Sequence, residues 1–137
     1  EEAAALGKLV ARFRKVLGDR VTEVRESGVL TDSPCRLVSP DSGPARDMER
    51  VRRLLESDYQ APARILEINP RHTLIQTLAR LVDDPSAATV VDLTVEQLYE
   101  DLLLLEGLHP DPAQMVPRVH SLLERTLGAL ADAGERA

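Results

Sequence analysis

Aromatic side chains are nearly missing from this sequence: one Phe, two Tyr and no Trp among 137 residues. Its core must therefore come from Leu, Val, Ile and Ala, which suits helix packed on helix and leaves no platform for stacking nucleobases. A basic surplus is missing too. The formal net charge is −6, and a chain without excess Lys and Arg cannot displace the counterions of a nucleic acid. No nucleic acid partner is expected. The single cysteine, Cys35, excludes an internal disulfide and a Cys-x-x-Cys site, in keeping with a reducing cytoplasmic compartment. No apolar run approaches the roughly 20 residues that cross a bilayer, so no membrane partner is expected. The opening residues, EEAAALGKLV, carry neither an initiating Met nor the basic start of a signal peptide. We expect the chain to be an excised piece of something longer.

What is present is a mixture of 43% hydrophobic and 29% charged residues, the balance of a soluble globular domain rather than a disordered one. The length is enough to bury a core without disulfides or metals. Charge is segregated along the chain. No Lys or Arg falls between Leu81 and Pro117, where Asp83, Asp84, Asp92, Glu96, Glu100, Asp101, Glu106 and Asp111 lie; Arg46, Arg50, Arg52 and Arg53 crowd one short segment.

Leu6, Leu9, Val10, Phe13, Val16 and Leu17 recur at helical spacing, predicting a helix over 3–17 with Gly18 as a left-handed C-cap. VTEVRESGVL (21–30) and PCRLVS (34–39) are β-branched, and Thr31-Asp32-Ser33 separates them as a pair of strands. Turn residues 39–44 lead to a helix near 44–57, opened by Pro44. It carries Met48, Val51, Leu54 and Leu55 on one side and arginines around the rest. Ile65, Leu66 and Ile68 predict a compact strand. Asn69 then fits an N-cap and Pro70 the first helical position, with Leu74, Ile75, Leu78, Leu81 and Val82 tracing one face.

The last third is helical throughout. Asp83-Asp84-Pro85 closes one helix, and the next begins either at a Ser86 cap or at a Thr94–Gln97 capping box. Val91, Val95, Leu98, Leu102 and Leu105 step 4-3-4-3 as a heptad-like seam, with Tyr99 and Leu103 on its flank. Gly107 ends that helix, and Asp111-Pro112 offers a start for a final one with Met115, Val119, Leu122, Leu123, Leu127 and Leu130 facing inward. Pro117 would cost a hydrogen bond in a helix interior, so the helix either kinks there or starts later. Residues 133–137 should fray. The expected fold is α+β: a lobe over 1–82 with a small three-stranded sheet and packed helices, then a helical hairpin over 83–132. Two such wide apolar faces exceed what one small lobe covers. Pairing with a second copy's hairpin in a four-helix bundle would bury the remainder.

Catalytic signals are poor. His72, His109 and His120 lie far apart without a helical i+3 or i+4 partner for metal binding. His72 is expected as a solvated surface residue, His109 as loop and cap, and Cys35 as a small core hydrophobe. Asp83-Asp84 suits a helix terminus, and no phosphate-cradling glycine motif occurs. No catalytic, metal or cofactor residue is assigned. The helix around Met48 admits two readings: one face packed on the sheet, or an adaptable apolar strip that contacts partners.

LTDSPCRLVS, DMERVRRLL, LEINPRHTLIQTLARL and DLTVEQLYEDLLLLEGL followed by DP together resemble the C-terminal domain of the Hsp90 molecular chaperones, over almost the whole chain. LEINP-x-H is the most specific segment. The last residues, ADAGERA, lack the Met-Glu-Glu-Val-Asp tail of eukaryotic cytosolic members, so the resemblance points to the bacterial HtpG type. It implies a constitutive homodimerisation module whose last two helices form a four-helix bundle, and a contribution to binding and folding unfolded client proteins. The dimer interface would take Val91, Val95, Leu98, Tyr99, Leu102, Leu105, Met115, Val119, Leu122, Leu123, Leu127 and Leu130. Client contact would fall to Met48, Val51, Leu54 and Leu55. ATP and Mg would belong to an N-terminal domain outside this chain, which itself would have no ATPase activity or cofactor. The alternative is an unrelated dimeric α/β interaction domain or a ligand-regulated domain with a deep pocket.

Overall fold

The computed structural model describes residues 1–29, 32–38 and 43–136. The expected strand ends at Leu30 and Ser39, the Thr31 part of their connection, and turn residues 39–42 lie outside that range. Eight elements follow in order: α1 (Glu2–Leu17), β1 (Val21–Glu26), β2 (Cys35–Val38), α2 (Gly43–Leu55), β3 (Arg64–Ile68), α3 (Thr73–Leu81), α4 (Ala88–Glu106) and α5 (Val116–Arg136). The fold is α+β, with one small three-stranded sheet and five helices.

β1 and β2 do not pair with each other. The last strand in sequence, β3, lies between them, parallel to β1 and antiparallel to β2. A central strand must be apolar where a helix layer covers it, and Leu66 and Ile68 are fully buried against that layer. Between them Glu67 points to the opposite face, as the two-residue period of a strand requires. Arg25 and Arg36 stand directly beside it in the neighbouring strands. Their Nε–H groups donate to its two carboxylate oxygens at 2.8 and 2.6 Å. Burial opposes ionisation of Glu67, but the two arginines outweigh it and hold the carboxyl below its ordinary range.

The helix layer supplies the rest of the core. Leu9, Phe13 and Leu17 of α1 meet Val24, Leu66, Ile68, and Ile75 and Leu78 of α3. From α4 come Val91, Val95, Tyr99 and Leu103. That differs from the expected seam. The residues on its flank, Tyr99 and Leu103, point inward with Val91 and Val95 at strict four-residue steps, whereas Leu98 and Leu102 are only partly buried. A helix with Leu or Val on most sides carries two overlapping apolar faces. Spacing alone does not say which one the lobe takes.

The segregated charges meet in space. Lys8 pairs with Asp83 at 2.6 Å, Arg12 with Asp92 at 2.9 Å and Arg20 with Glu96 at 2.7 Å. The basic side of α1 and its following turn thus lies along Asp83, before α4, and the acidic side of α4 itself.

Several local expectations change. Gly18 takes φ 56°, ψ −129°, a region glycine enters without strain, rather than the left-handed helical cap. Asn69 is not the N-cap of α3: its Oδ1 accepts the Arg71 amide at 3.0 Å, and its Nδ2 donates to the Ser33 carbonyl at 3.1 Å. It closes the turn after β3 and ties it to the segment before β2. The N-cap is His72, whose Nδ1 accepts the Leu74 amide at 3.1 Å. α4 starts at Ala88, so neither Ser86 nor the Thr94–Gln97 box caps it. Asp84 instead accepts the Ser86 amide at 2.9 Å in a short 3-10 turn. Thr94 sits inside the helix, donating to the Val90 carbonyl. Pro117 falls at the second position of α5, after a 3-10 turn over Pro112–Met115, where no hydrogen bond is lost. Helix α5 runs through Arg136.

Candidate interaction surface

Helix α4 ends at Gly107, whose φ of 73° and ψ of 21° form a left-handed cap. The chain then reverses through the buried residues Leu108 and His109. The Asp111 amide donates to His109 Nδ1 at 3.0 Å, which leaves the ring proton on Nε2 to donate to Glu100 at 2.6 Å. The other Glu100 oxygen accepts from Arg118 of α5, also at 2.6 Å. Burial works against the Glu100 charge, but Arg118 and His109 together keep its carboxyl below the usual range. Glu100 thereby joins α4, the loop and the base of α5 at one point, and fixes the angle at which α5 leaves the lobe.

Beyond that base, α5 has little to pack on within its own chain. Its main neighbours are α4 and the preceding 3-10 turn. At 21 residues it is about 31 Å long. Val116, Val119, Leu123, Leu127 and Leu130 recur every three or four residues along it, and all are exposed. Leu105, at the end of α4, is 82% exposed and Leu104 nearly half. A stripe of this length on a single chain far exceeds scattered surface apolar residues.

The residues expected at a dimer interface therefore divide. Val91, Val95, Tyr99 and Met115 are buried within the chain's own fold. Leu98, Leu102 and Leu122 are partly covered. Leu105, Val119, Leu123, Leu127 and Leu130 are open to solvent. Leu104 and Val116 belong with them. They were missed because each lies outside the strict heptad positions, although an unbroken Leu102–Leu105 run already signalled a helix apolar on more than one side.

Helix α2 is a second exposed apolar face. Met48, Val51, Leu54 and Leu55 are all more than half exposed, so this face does not pack on the sheet. What holds α2 is arginine chemistry. Arg50 Nε–H donates to the Glu106 carbonyl at 2.8 Å, and Arg53 Nε–H to the His109 carbonyl at 2.7 Å. Those carbonyls belong to the end of α4 and the loop after it, where cations also complement the helix dipole. Arg50 and Arg53 thus serve as tethers, leaving the apolar side outward, whereas Arg52 pairs locally with Glu49 and Glu56.

The isolated candidates for chemistry stay apart. Cys35 is buried, and burial pushes its thiol up to about 12, far from the thiolate a nucleophile needs. His72 caps α3, His109 is inside the hairpin base, and His120 is exposed on α5. Asp83 pairs with Lys8 while Asp84 caps its turn. No group of three His, Cys, Asp or Glu suited to a metal occurs among the described residues. No helix among them is long and apolar enough to cross a membrane.

Comparison with known proteins adds a family. The sequence pattern of the Hsp90 protein family matches residues 1–137. The chaperone protein HtpG of Oleidesulfovibrio alaskensis is 42% identical over 132 residues, covering 96% of this chain and 21% of that protein. HtpG of Desulfitobacterium hafniense is 41% identical over 116 residues, 84% of this chain and 18% of its own length. The mitochondrial heat shock protein 75 kDa of Bos taurus is 36% identical over 122 residues, 87% of this chain and 17% of its own. The chain spans about a fifth of the length of the curated relatives it matches.

Proposed function

The chain belongs to the Hsp90 protein family, and on that premise we propose that it is the C-terminal homodimerisation module of a bacterial, cytoplasmic chaperone of the HtpG type. One observation carries this reading: the apolar stripe of α5, continued by Leu104 and Leu105 of α4, lies uncovered from Val116 to Leu130. A second copy related by a two-fold axis presents the same stripe, so the surface is self-complementary, and four helices in a bundle bury what each hairpin exposes. The interface consists of Leu104, Leu105, Val116, Val119, Leu123, Leu127 and Leu130, with Leu98, Leu102 and Leu122 at its margin. Nucleotide and Mg chemistry belongs to a separate domain of the whole chaperone, and this module contributes assembly, without ATPase activity of its own. Light scattering on the purified chain at micromolar concentration is expected to give twice the 15.1 kDa chain mass. A monomer throughout that range would refute the proposal.

Client binding is a compatible second role, favoured by the outward apolar side of α2. Met48 is flexible and polarizable, and Val51, Leu54 and Leu55 extend it into a strip able to adapt to varied unfolded segments. Replacing Met48 and Leu55 with Ser is expected to weaken binding of an unfolded protein several-fold while leaving the dimer mass unchanged. Unaltered affinity would reduce the strip to ordinary surface.

A further inference from the structure

Helix α2 is seated inside out. From Asp47 to Leu55 only Glu49 and Arg53 are partly covered, and every apolar side chain faces water. No other element packs broadly on this helix among the described residues. Its hold on the lobe is polar. Tyr59, buried just beyond the helix, donates to Glu49 at 2.8 Å. Arg50 and Arg53 donate to the carbonyls of Glu106 and His109. A helix of 13 residues is marginal in water by itself, and helices ordinarily draw their stability from packing an apolar face. This one lacks that packing, so its helical state depends on those few bonds.

Both carbonyls belong to residues that hold something else as well. The Glu106 carboxylate accepts from Arg64 Nη1 at 2.7 Å. Arg64 is 6% exposed, and its Nε and Nη2 have no partner among the described residues. Glu106 is thus the carboxylate that answers this buried charge, which pins the end of α4 to the start of β3. His109 leads the other way. Its ring donates to Glu100, and Glu100 accepts from Arg118 at the base of α5. Arg118 also lies 3.4 Å from Glu96, which Arg20 holds from the turn after α1. The loop between Gly107 and Asp111 therefore takes a tether from α2 on one side and positions α5 on the other.

We propose that α2 is a strap with a seated and a released state, and that seating it sets the loop after α4 and with it the angle of α5. The apolar strip of Met48, Val51, Leu54 and Leu55 is one continuous face only while α2 is helical, and that is the seated state. An unfolded segment that covers the strip therefore shifts the balance toward seating. Seating holds His109, Glu100 and Arg118 in the arrangement that presents the α5 stripe. Covering α2 and pairing α5 thus strengthen one another, by the same factor in each direction. The inference rests on the two roles proposed above for α5 and α2, and adds the linkage between them.

The test is Arg53→Met, which removes the tether and keeps the stem, against Arg52→Met, since Arg52 pairs locally with Glu49 and Glu56. Amide hydrogen exchange over 47–55 is expected to run about tenfold or more faster in Arg53→Met, the size of a lost hydrogen bond from a charged donor. Unchanged protection of β3 shows that the lobe stays folded. Sedimentation velocity is expected to show the dimer dissociation constant rising about fivefold or more, the lower end of coupling between sites, although Arg53 lies outside the α5 stripe. Saturating carboxymethylated α-lactalbumin, a permanently unfolded probe, should tighten the parent dimer by a similar factor and leave the Arg53→Met dimer unmoved. Arg52→Met should change exchange and dissociation by no more than about twofold. A probe that does not bind refutes the α2 reading alone, and the dissociation constant of Arg53→Met still decides the strap. A monomeric parent refutes the dimer reading alone, and the decision passes to the side-chain NMR resonance of Arg118, which seating predicts to shift in Arg53→Met only. Exchange over 47–55 that does not accelerate overturns the proposal. So does an unchanged dissociation constant in a dimeric parent, or an unmoved Arg118 resonance in a monomeric one.

Discussion

Leu127→Asp on α5 is expected to turn the proposed dimer into a folded monomer. Leu127 is 62% exposed in the single chain, so the lobe does not depend on it for stability. Fully burying a Leu side chain stabilises by roughly 1.5–3 kcal/mol, and covering only its exposed part by about 1–2 kcal/mol. Two-fold symmetry places the substitution in the interface twice, so the lost burial removes about 2–4 kcal/mol from association. The dissociation constant should rise about 30- to 1,000-fold. Each carboxylate also loses hydration without gaining a partner, which pushes the effect upward. Sedimentation velocity across a concentration series reads the shift, and thermal unfolding checks that the monomer remains folded. Leu55→Asp on α2 is the control: it is 79% exposed but outside the proposed interface, and should leave the mass unchanged. A Leu127→Asp dimer within about threefold of the parent affinity would remove α5 from the interface, because no loss of buried Leu area at a two-fold contact is so small.

Gly107→Ala should destabilise the lobe by about 1–2 kcal/mol, since an L side chain is disfavoured at its left-handed φ of 73°; a urea midpoint unchanged by the substitution would show that the cap relaxes freely. Glu67→Gln should lower stability at neutral pH and flatten the acid response. The folded Glu67 carboxyl lies below its ordinary range, so its contribution is full above the unfolded value of about 4.3 and is lost as pH falls through the lower folded one. Urea midpoints at neutral pH and near pH 3 test this. If both proteins lose the same stability on acidification, the arginine pair around Glu67 is not the source.

The sequence by itself determined the element order, the helical hairpin and its turn at Gly107. Those depend on local chemistry: apolar spacing of about 3.6 or 2 residues, a glycine where φ is positive, a proline in a first turn. It also carried the family signature, in segments whose order survives without any structure. Tertiary structure alone decided where β3 goes. Insertion between two earlier strands is a long-range pairing that neighbouring residues do not encode, and it is what gives Glu67 its two arginines. Tertiary structure also divided α4 between two uses. Val91, Val95, Tyr99 and Leu103 satisfy the lobe, and Leu104 and Leu105 remain outside. A helix that is apolar on most sides shows no preference by itself. Only the position of the sheet and of α1 fixes which side is core, and by subtraction which side is left exposed.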